Sequence, residues 1–439
     1  MFGSSFSHGV HPPDLKGLTQ SVPVRRLPFP DEVILPLRQH AGKPAVPLVR
    51  KGDRVERGDK IAEADGFISA PVHSSAAGMV SDIGLWPHPD GSYATAVWIT
   101  VEPHSAQALR PRMVPRWDSL DRQGIVDAVK EAGVVGLGGA AFPTHVKLVP
   151  PPDARPELLI VNGCECEPYL TTDHRSMVEY PERVQLGIRI MMKCLGVERT
   201  MIGVERNKPD AIAALERTLP DDIDVTVHPL TVKYPQGAEK MLIAALTARE
   251  IPSGRLPIHA GIVVQNVASI ATIAEVFETG MPLIERIVTV TGTGVARPSN
   301  LIVPVGTKLS HLLEHCGGLT DDAAEVIFGG PMMGAPQSDL AVPILKGTTG
   351  VVVLSELETK REPVYPCIKC GHCLTACPVF LNPQLLGSLA RAERYDEMLD
   401  AHLMDCMLCG CCSYTCPSNI PLSQLFQQAK AAVQKLEAA

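Results

Sequence analysis

The sequence predicts a multidomain protein of mixed α/β and α+β class. Three observations lead there. From about residue 24 to 103 the pattern is short strands separated by Gly and Asp turns. Residues 116–283 alternate helical and strand patterns, as a single α/β domain does. Eight of the 13 cysteines fall into two matching runs near the C-terminus. A chain of 439 residues has room for about three domains by length alone. The patterns divide it into an arm (1–23) and four units: 24–115, 116–283, 284–350 and 351–439.

Composition narrows the partners. Aromatic residues are 4% of the chain, too few for base-stacking surfaces, and the formal net charge is −8, so nucleic acid is excluded as the main partner. Two stretches, 256–274 and 406–429, lack Asp, Glu, Lys and Arg. Neither reads as a membrane span: the first carries His259, Gln265 and Asn266, and the second holds a cysteine run. Residues 1–16 lack the apolar stretch of a signal peptide. The odd cysteine count, with thiolates that must stay reduced, implies a cytosolic setting without a disulfide framework.

The arm is rich in Gly, Ser and Pro and has no periodicity. In the next unit, Lys51-Gly52-Asp53-Arg54-Val55 and Arg57-Gly58-Asp59-Lys60-Ile61 precede Ile68-Ser69-Ala70-Pro71. This resembles the barrel-sandwich domain of biotinyl and lipoyl carriers. The carrier lysine has no counterpart in Glu63-Ala64-Asp65-Gly66, so the shape is expected without the carrier chemistry. In 116–283 a helix is predicted over 120–132 and ended by Gly133; a buried strand is predicted over 157–162. Strands at Arg286–Thr291, Leu301–Val305 and Glu325–Phe328, with a helix at Leu309–Cys316 capped by Thr307, suit a small β-grasp unit. Residues 329–350 read as a Gly- and Pro-rich link. In the last unit a helix is predicted over 384–403, and Leu422, Leu425, Phe426, Ala429, Val433 and Leu436 form a helical stripe.

The cysteine runs are Cys367-x2-Cys370-x2-Cys373-x3-Cys377-Pro378 and Cys406-x2-Cys409-x2-Cys412-x3-Cys416-Pro417, an internal repeat of 39 residues. This is the spacing that holds two [4Fe–4S] clusters. Three thiolates of a run wrap one cube and the fourth reaches the other. Cluster 1 is therefore assigned Cys367, Cys370, Cys373 and Cys416, and cluster 2 Cys406, Cys409, Cys412 and Cys377. Structural zinc is the rival reading and fits worse, because zinc needs neither the third x2 step nor the x3-Cys-Pro ending. Cys411 stands where His372 stands in the first run and reads as a bystander.

Two further segments carry polar chemistry. Gly136-Leu137-Gly138-Gly139-Ala140-Ala141-Phe142-Pro143 follows a helix, so it is not the dinucleotide fingerprint, which must follow a strand. Its glycines would let backbone N–H groups approach a phosphate or a flat ring, with Phe142 as a stacking surface and Lys147 as a nearby charge. The plain alternative is a tight turn over a core phenylalanine. Asn162-Gly163-Cys164-Glu165-Cys166-Glu167-Pro168 ends a buried strand, where α/β sheets gather ligands; the alternative is a solvated loop.

On these residues the chain resembles the flavoprotein subunit of complex I. GLGGAAFPTHVK (136–147) and VNGCECEP (161–168) are similar to that family's glycine-rich loop and acidic strand end. Gly237-Ala238-Glu239-Lys240 and Gln265-Asn266-Val267 are similar to its later flavin contacts. The β-grasp unit resembles its soluble-ligand-binding (SLBB) domain. Leu137 replaces a family arginine and Cys164 an aspartate. The barrel sandwich in front, the HPPDLK segment (His11–Lys16) and two clusters behind resemble the RnfC family of Rnf-type (Rsx) electron-transport complexes.

The resemblance implies noncovalent FMN, NAD(H) and two [4Fe–4S] clusters. Gly136, Gly138, Gly139, Lys147, Asn162, Glu165, Glu239, Gln265 and Asn266 would hold FMN; Phe142 and Glu167 would face the dinucleotide. No residue is required as an acid or base. The implied activity is that of one component of a ferredoxin:NAD+ oxidoreductase, bound peripherally on the cytoplasmic face of the bacterial inner membrane. Its partners would be membrane subunits, among them a ferredoxin-like one, with the arm and the barrel sandwich as docking surfaces. Two alternatives are a corrinoid reductase of microcompartments and a cluster-only relay protein without NADH activity.

Overall fold

A computed structural model describes residues 4–109, 116–359 and 362–438. The expected boundary at 115/116 falls against residues outside these.

The unit around 116–283 is built on a four-stranded parallel sheet. Its order is Asp224–Leu230, Arg199–Glu205, Leu158–Gly163, Ile262–Asn266. The first strand in sequence, Leu158–Gly163, is central, and the chain winds outward from it on one side before returning to the other. That reversal leaves a crevice at the carboxyl ends of Leu158–Gly163 and Ile262–Asn266. Helices cover both faces. Pro181–Leu195 packs beside Val267–Thr279, burying Ile188, Met191, Ile270 and Ile273 over Leu159 and Val161. On the other face Leu242, Ile243 and Leu246 of Glu239–Thr247 cover Ile160 and Val264. The predicted helix over 120–132 runs Arg122–Glu131, with Asp121 accepting from Gly124 N at 2.8 Å as its cap.

The barrel sandwich consists of a four-stranded sheet (Glu32–Pro36, Tyr93–Val101, Gly78–Pro87, Arg54–Val55) against a three-stranded one (Val46–Pro47, Lys60–Glu63, Val72–His73). Val33, Leu35, Ile61, Val72, Val97 and Ile99 fill the space between them. Its opening strand departs from expectation. Val24–Arg26 pairs in parallel with Ser299–Pro304 and so belongs to the β-grasp sheet. The same sheet takes in Gly350–Ser355, which lies between Glu285–Thr291 and Ala323–Phe328, and Ala335–Gln337 within the expected link. Sequence windows could not show this, because the pairing joins segments far apart in the chain. Thr307 does not cap the helix Leu309–His315; its hydroxyl donates to Pro304 O at 2.7 Å, and Lys308 occupies the cap position.

The helix predicted over 384–403 is broken. Pro383–Arg391 and Tyr395–Asp400 are separate, with Glu393 at φ 54° between them. Leu389 and Leu403 are buried, whereas Leu385 is exposed. The last helix, Leu422–Ala438, buries Leu422, Phe426, Ala429 and Val433 as its stripe requires; Leu436 is exposed. The internal repeat is visible in the backbone. Lys369 and Leu408, Gly371 and Gly410, and Phe380 and Asn419 all take positive φ at corresponding places in the two runs. Three members of these pairs, Lys369, Leu408 and Phe380, are bulky residues in a conformation that ordinarily favours glycine, so the cysteine turn imposes it.

The N-terminal arm is not free. Val10 bridges to Tyr234, Gly9 N donates to Ala376 O at 3.2 Å, and Tyr169 N donates to Asp14 O at 2.8 Å. The arm thus lies between the α/β unit and the cysteine unit. Among the described residues no helix is long and apolar enough to cross a membrane.

Candidate functional site

The crevice at the sheet reversal opens into a cavity of about 650 Å3, within the usual range of small-molecule sites. Every unit contributes to it. The glycine loop supplies Gly138–Ala141, the strand end supplies Asn162 and Cys164–Glu167, and Gly237–Ala238 closes one side. The β-grasp unit adds Gly329 and Gly330, the barrel sandwich adds Arg38–Ala41 and His88, and the cysteine unit adds Met407 and Cys409.

Six of the predicted residues line this cavity: Gly138, Gly139, Asn162, Glu165, Glu167 and Asn266. Gly139 has φ 106° and nothing within 4 Å of where a Cβ would stand, so a flat group can approach its backbone. Asn162 and Asn266 face each other in register across the two strands. Both are also loop anchors. Asn162 Nδ2 donates to Gly237 O at 2.8 Å, and its Oδ1 accepts from Cys164 N at 3.0 Å. Asn266 caps the helix Val267–Thr279 through Oδ1, which accepts from Ala268 N and Ser269 N. Its Nδ2 donates to Asp173 Oδ2 at 2.7 Å.

The two glutamates have distinct environments. Glu165 accepts from Asp173 N at 3.0 Å and His174 N at 3.3 Å, at the N-terminus of Thr172–Glu179. Glu167 accepts from Met332 N at 3.0 Å through Oε2, while its buried Oε1 has no partner. Burial pushes the Glu167 carboxyl up to about 7.

The other five predicted residues do not line the wall. Gly136 N donates to Phe142 O at 2.8 Å, which folds the glycine loop on itself. Lys147 and Glu239 pair with each other at 2.8 Å, and Lys147 Nζ also donates to Val264 O at 3.1 Å. Each satisfies the other, and together they tie the glycine loop to the sheet. Gln265 is 3% exposed, with an unpartnered Nε2.

Both departures from the complex I pattern have a structural account. Leu137 is 3% exposed in an apolar cluster with Ala70, Val135, Ala268 and Leu283, so its side chain belongs to the packing beneath the loop. Cys164 lines the cavity and also belongs to the apolar cluster of Leu158, Ile160 and Leu242; burial pushes its thiol well up, so it stays neutral.

The cysteines gather in the crossed arrangement. Cys367, Cys370, Cys373 and Cys416 surround one hollow, and Cys377, Cys406, Cys409 and Cys412 another. The first lies toward solvent, with Cys367 and Cys370 exposed. The second is interior, with Cys377, Cys409 and Cys412 buried. Cys411, fully buried and packed with Val10 and Tyr234, also lines this second hollow.

Sequence reasoning missed four residues here. Tyr234, 1% exposed, lines the cavity and donates its hydroxyl to Cys409 O at 2.8 Å. Asp173 lines the cavity; burial, and then the charge of Glu165, push it up to about 7. Lys16 of the HPPDLK segment is buried beneath the strand end, its Nζ donating to Glu167 O at 2.8 Å and also to Leu170 O. The fourth is Arg38, from another domain. The acidic run at 165–173 could have flagged Asp173; nothing local signals the others.

Comparison with known proteins agrees with this arrangement. Family models match in order: an RnfC barrel sandwich hybrid domain (4–104), a Nuo51 FMN-binding domain (129–275), an SLBB domain (287–336) and a 4Fe-4S dicluster domain (363–420). The chain is 44% identical over 393 residues to the RnfC-type component of the proton-translocating ferredoxin:NAD+ oxidoreductase complex of Clostridium ljungdahlii, covering 90% of this chain and 86% of the relative. It is 41% identical to the equivalent component of the Na+-translocating ferredoxin:NAD+ oxidoreductase complex of Acetobacterium woodii, covering 91% and 90%. It is 39% identical to that of the ion-translocating oxidoreductase complex of Rhodobacter capsulatus, covering 97% and 82%. A solved NAD+-reducing [NiFe]-hydrogenase shares the fold at a TM-score of 0.53 and 23% identity, over 74% of this chain and 64% of that one. The domain order and these identities place the chain in the RnfC family, a component of ion-translocating ferredoxin:NAD+ oxidoreductase (Rnf) complexes.

Proposed function

We propose that this electron-transfer protein passes electrons between NAD(H), FMN and two [4Fe–4S] clusters. It would do so as a peripheral subunit on the cytoplasmic face of the bacterial inner membrane, docked to membrane subunits that include a ferredoxin-like one. One observation carries the reading: Cys409 belongs both to the interior cysteine hollow and to the wall of the 650 Å3 cavity.

The residues present fit the groups the family implies. The open backbone at Gly139, the unpartnered Oε1 of Glu167 and the strand-end amides of Asn162 and Asn266 suit a flat heteroaromatic ring with polar edges. Gly138, Gly139, Asn162, Glu165 and Asn266 would hold FMN. Gly136, Lys147, Glu239 and Gln265 would shape the loop and strand behind it. Bound FMN would exchange two electrons with a nicotinamide and single electrons with a cluster. Glu167, near neutral pH in its affinity for a proton, can accept or donate a hydrogen bond at the ring edge. The two sets of four cysteines would ligate the interior and the outer cluster, and Tyr234 closes the space between cavity and interior cluster.

The test is reconstitution with iron, sulfide and FMN, followed by anaerobic addition of NADH. Retained FMN whose absorbance bleaches, followed by cluster reduction, supports the reading. Clusters present with no flavin bound after desalting would sink it.

A further inference from the structure

The cavity has an unusual distribution of charge. Its carboxylates, Glu165, Glu167 and Asp173, all come from the α/β unit. Among the described residues on its wall, Arg38 is the only lysine or arginine, and it comes from the barrel sandwich. His40 shares that wall, but burial lowers its proton affinity and its ring is committed to Ala41 and Ala70. Arg38 is partly open to solvent, with 37% of its side chain exposed. Its contacts to Asp90 (2.6 Å), Ser92 Oγ (2.8 Å) and His88 Nδ1 (3.4 Å) all run through Nη2. The neighbouring Gln39 is 2% exposed and lines the same wall; its Oε1 accepts from Lys346 N at 3.1 Å, while its Nε2 has no partner.

We propose that Arg38 and Gln39 form the subsite for the pyrophosphate of the dinucleotide. A dinucleotide carries two negative charges between its nucleosides, and of the described charged residues lining the cavity only Arg38 attracts them. A guanidinium braced by Asp90 and Ser92 offers a planar pair of donors in fixed orientation, which is the geometry a phosphate accepts. The amide of Gln39 supplies a further donor that the protein itself leaves unpaired. On this reading the barrel sandwich, which lacks the carrier lysine, has become one jaw of the nucleotide site. The inference rests on the proposed use of NAD(H) by this protein and deepens it.

The test uses the full chain reconstituted with clusters and FMN, titrated anaerobically with NADH and with ADP-ribose, which keeps the pyrophosphate and lacks the nicotinamide. Arg38→Gln is expected to raise the Kd of both about tenfold or more, the loss of a charge-assisted pair, with iron and FMN content unchanged. Arg38→Lys should fall between, since it keeps the charge and loses the fork; it also serves if Arg38→Gln does not fold. Unchanged Kd values in Arg38→Gln overturn the subsite while leaving the proposed function intact. Loss of FMN in parallel also overturns it, because the guanidinium would then serve the flavin phosphate. If the unaltered chain binds neither NADH nor ADP-ribose, the NAD(H) reading itself fails and takes the subsite with it.

Discussion

The hydroxyl of Tyr234 donates to the carbonyl oxygen of Cys409 at 2.8 Å, with the ring 1% exposed between the cavity and the interior cysteine hollow. Tyr234 is itself held by the arm, through paired backbone bonds of 2.9 Å with Val10. One side chain thus touches three things: the arm, the cavity and the turn carrying a cluster cysteine. Tyr234→Phe leaves the Cys409 carbonyl without its donor, at a cost of ~1–2 kcal/mol. We expect a lower Tm and an altered EPR signal of the interior cluster, with FMN content unchanged. An unaltered EPR spectrum would show that the contact is packing alone.

Lys16 predicts a role for the arm in flavin binding. Its ammonium is buried against Glu167 O and Leu170 O, and burial lowers its proton affinity. Lys16→Met removes both bonds and loosens the turn that presents Glu167. FMN affinity should fall about tenfold, which corresponds to ~1.4 kcal/mol, with iron content retained. Fluorescence of FMN released after desalting measures it.

Lys346 predicts a pH dependence. It is 1% exposed, and its Nζ donates to Pro71 O and Gly133 O, both at 2.8 Å, so it joins three units of the chain. No carboxylate balances it, and burial lowers its proton affinity to about 7. A neutral amine has two N–H groups for those two carbonyls. Between pH 7 and the unfolded value of 10.5 the unfolded chain binds the extra proton, so stability rises with pH across that window. Thermal unfolding at pH 7 and pH 9 should show the unaltered chain gaining on Lys346→Met as pH rises. Parallel pH profiles would contradict this.

Leu137 predicts that restoring the complex I arginine is harmful. The side chain sits at 3% exposure in an apolar cluster with no carboxylate in it. Leu137→Arg buries an unpaired guanidinium and should cost on the order of 3 kcal/mol or more, with loss of FMN following from the displaced loop. A Tm equal to that of the unaltered chain would place the arginine outside the cluster.

Local chemistry was legible in the sequence where a short segment carries the whole constraint. The cysteine turns are of that kind: spacing alone groups Cys416 with the first run and Cys377 with the second, and those cysteines line two hollows, the second shared with Cys411. Asn162 and Asn266 were legible because strand ends at a sheet reversal gather polar residues, but their use as loop anchors depends on Gly237 and Asp173, which are distant in sequence. The pairing of Lys147 was not legible for a similar reason. Its partner Glu239 lies on another element, and only the fold brings the two within 2.8 Å. The membership of Val24–Arg26 in the β-grasp sheet could not be read at all, since that strand is too short to show a face and its partner is Ser299–Pro304.

In the proposed function, electrons pass from the cavity to the interior cluster, through the Cys409 turn, before the outer one. Cys377→Ala and Cys416→Ala separate the two, and rapid-freeze EPR after anaerobic mixing with NADH reads the remaining cluster in each reconstituted variant. In Cys416→Ala the interior cluster should be reduced at the rate of the unaltered chain. In Cys377→Ala the FMN should bleach while the outer cluster is reduced at least tenfold more slowly. The reverse pattern, fast reduction in Cys377→Ala and slow reduction in Cys416→Ala, would contradict this order.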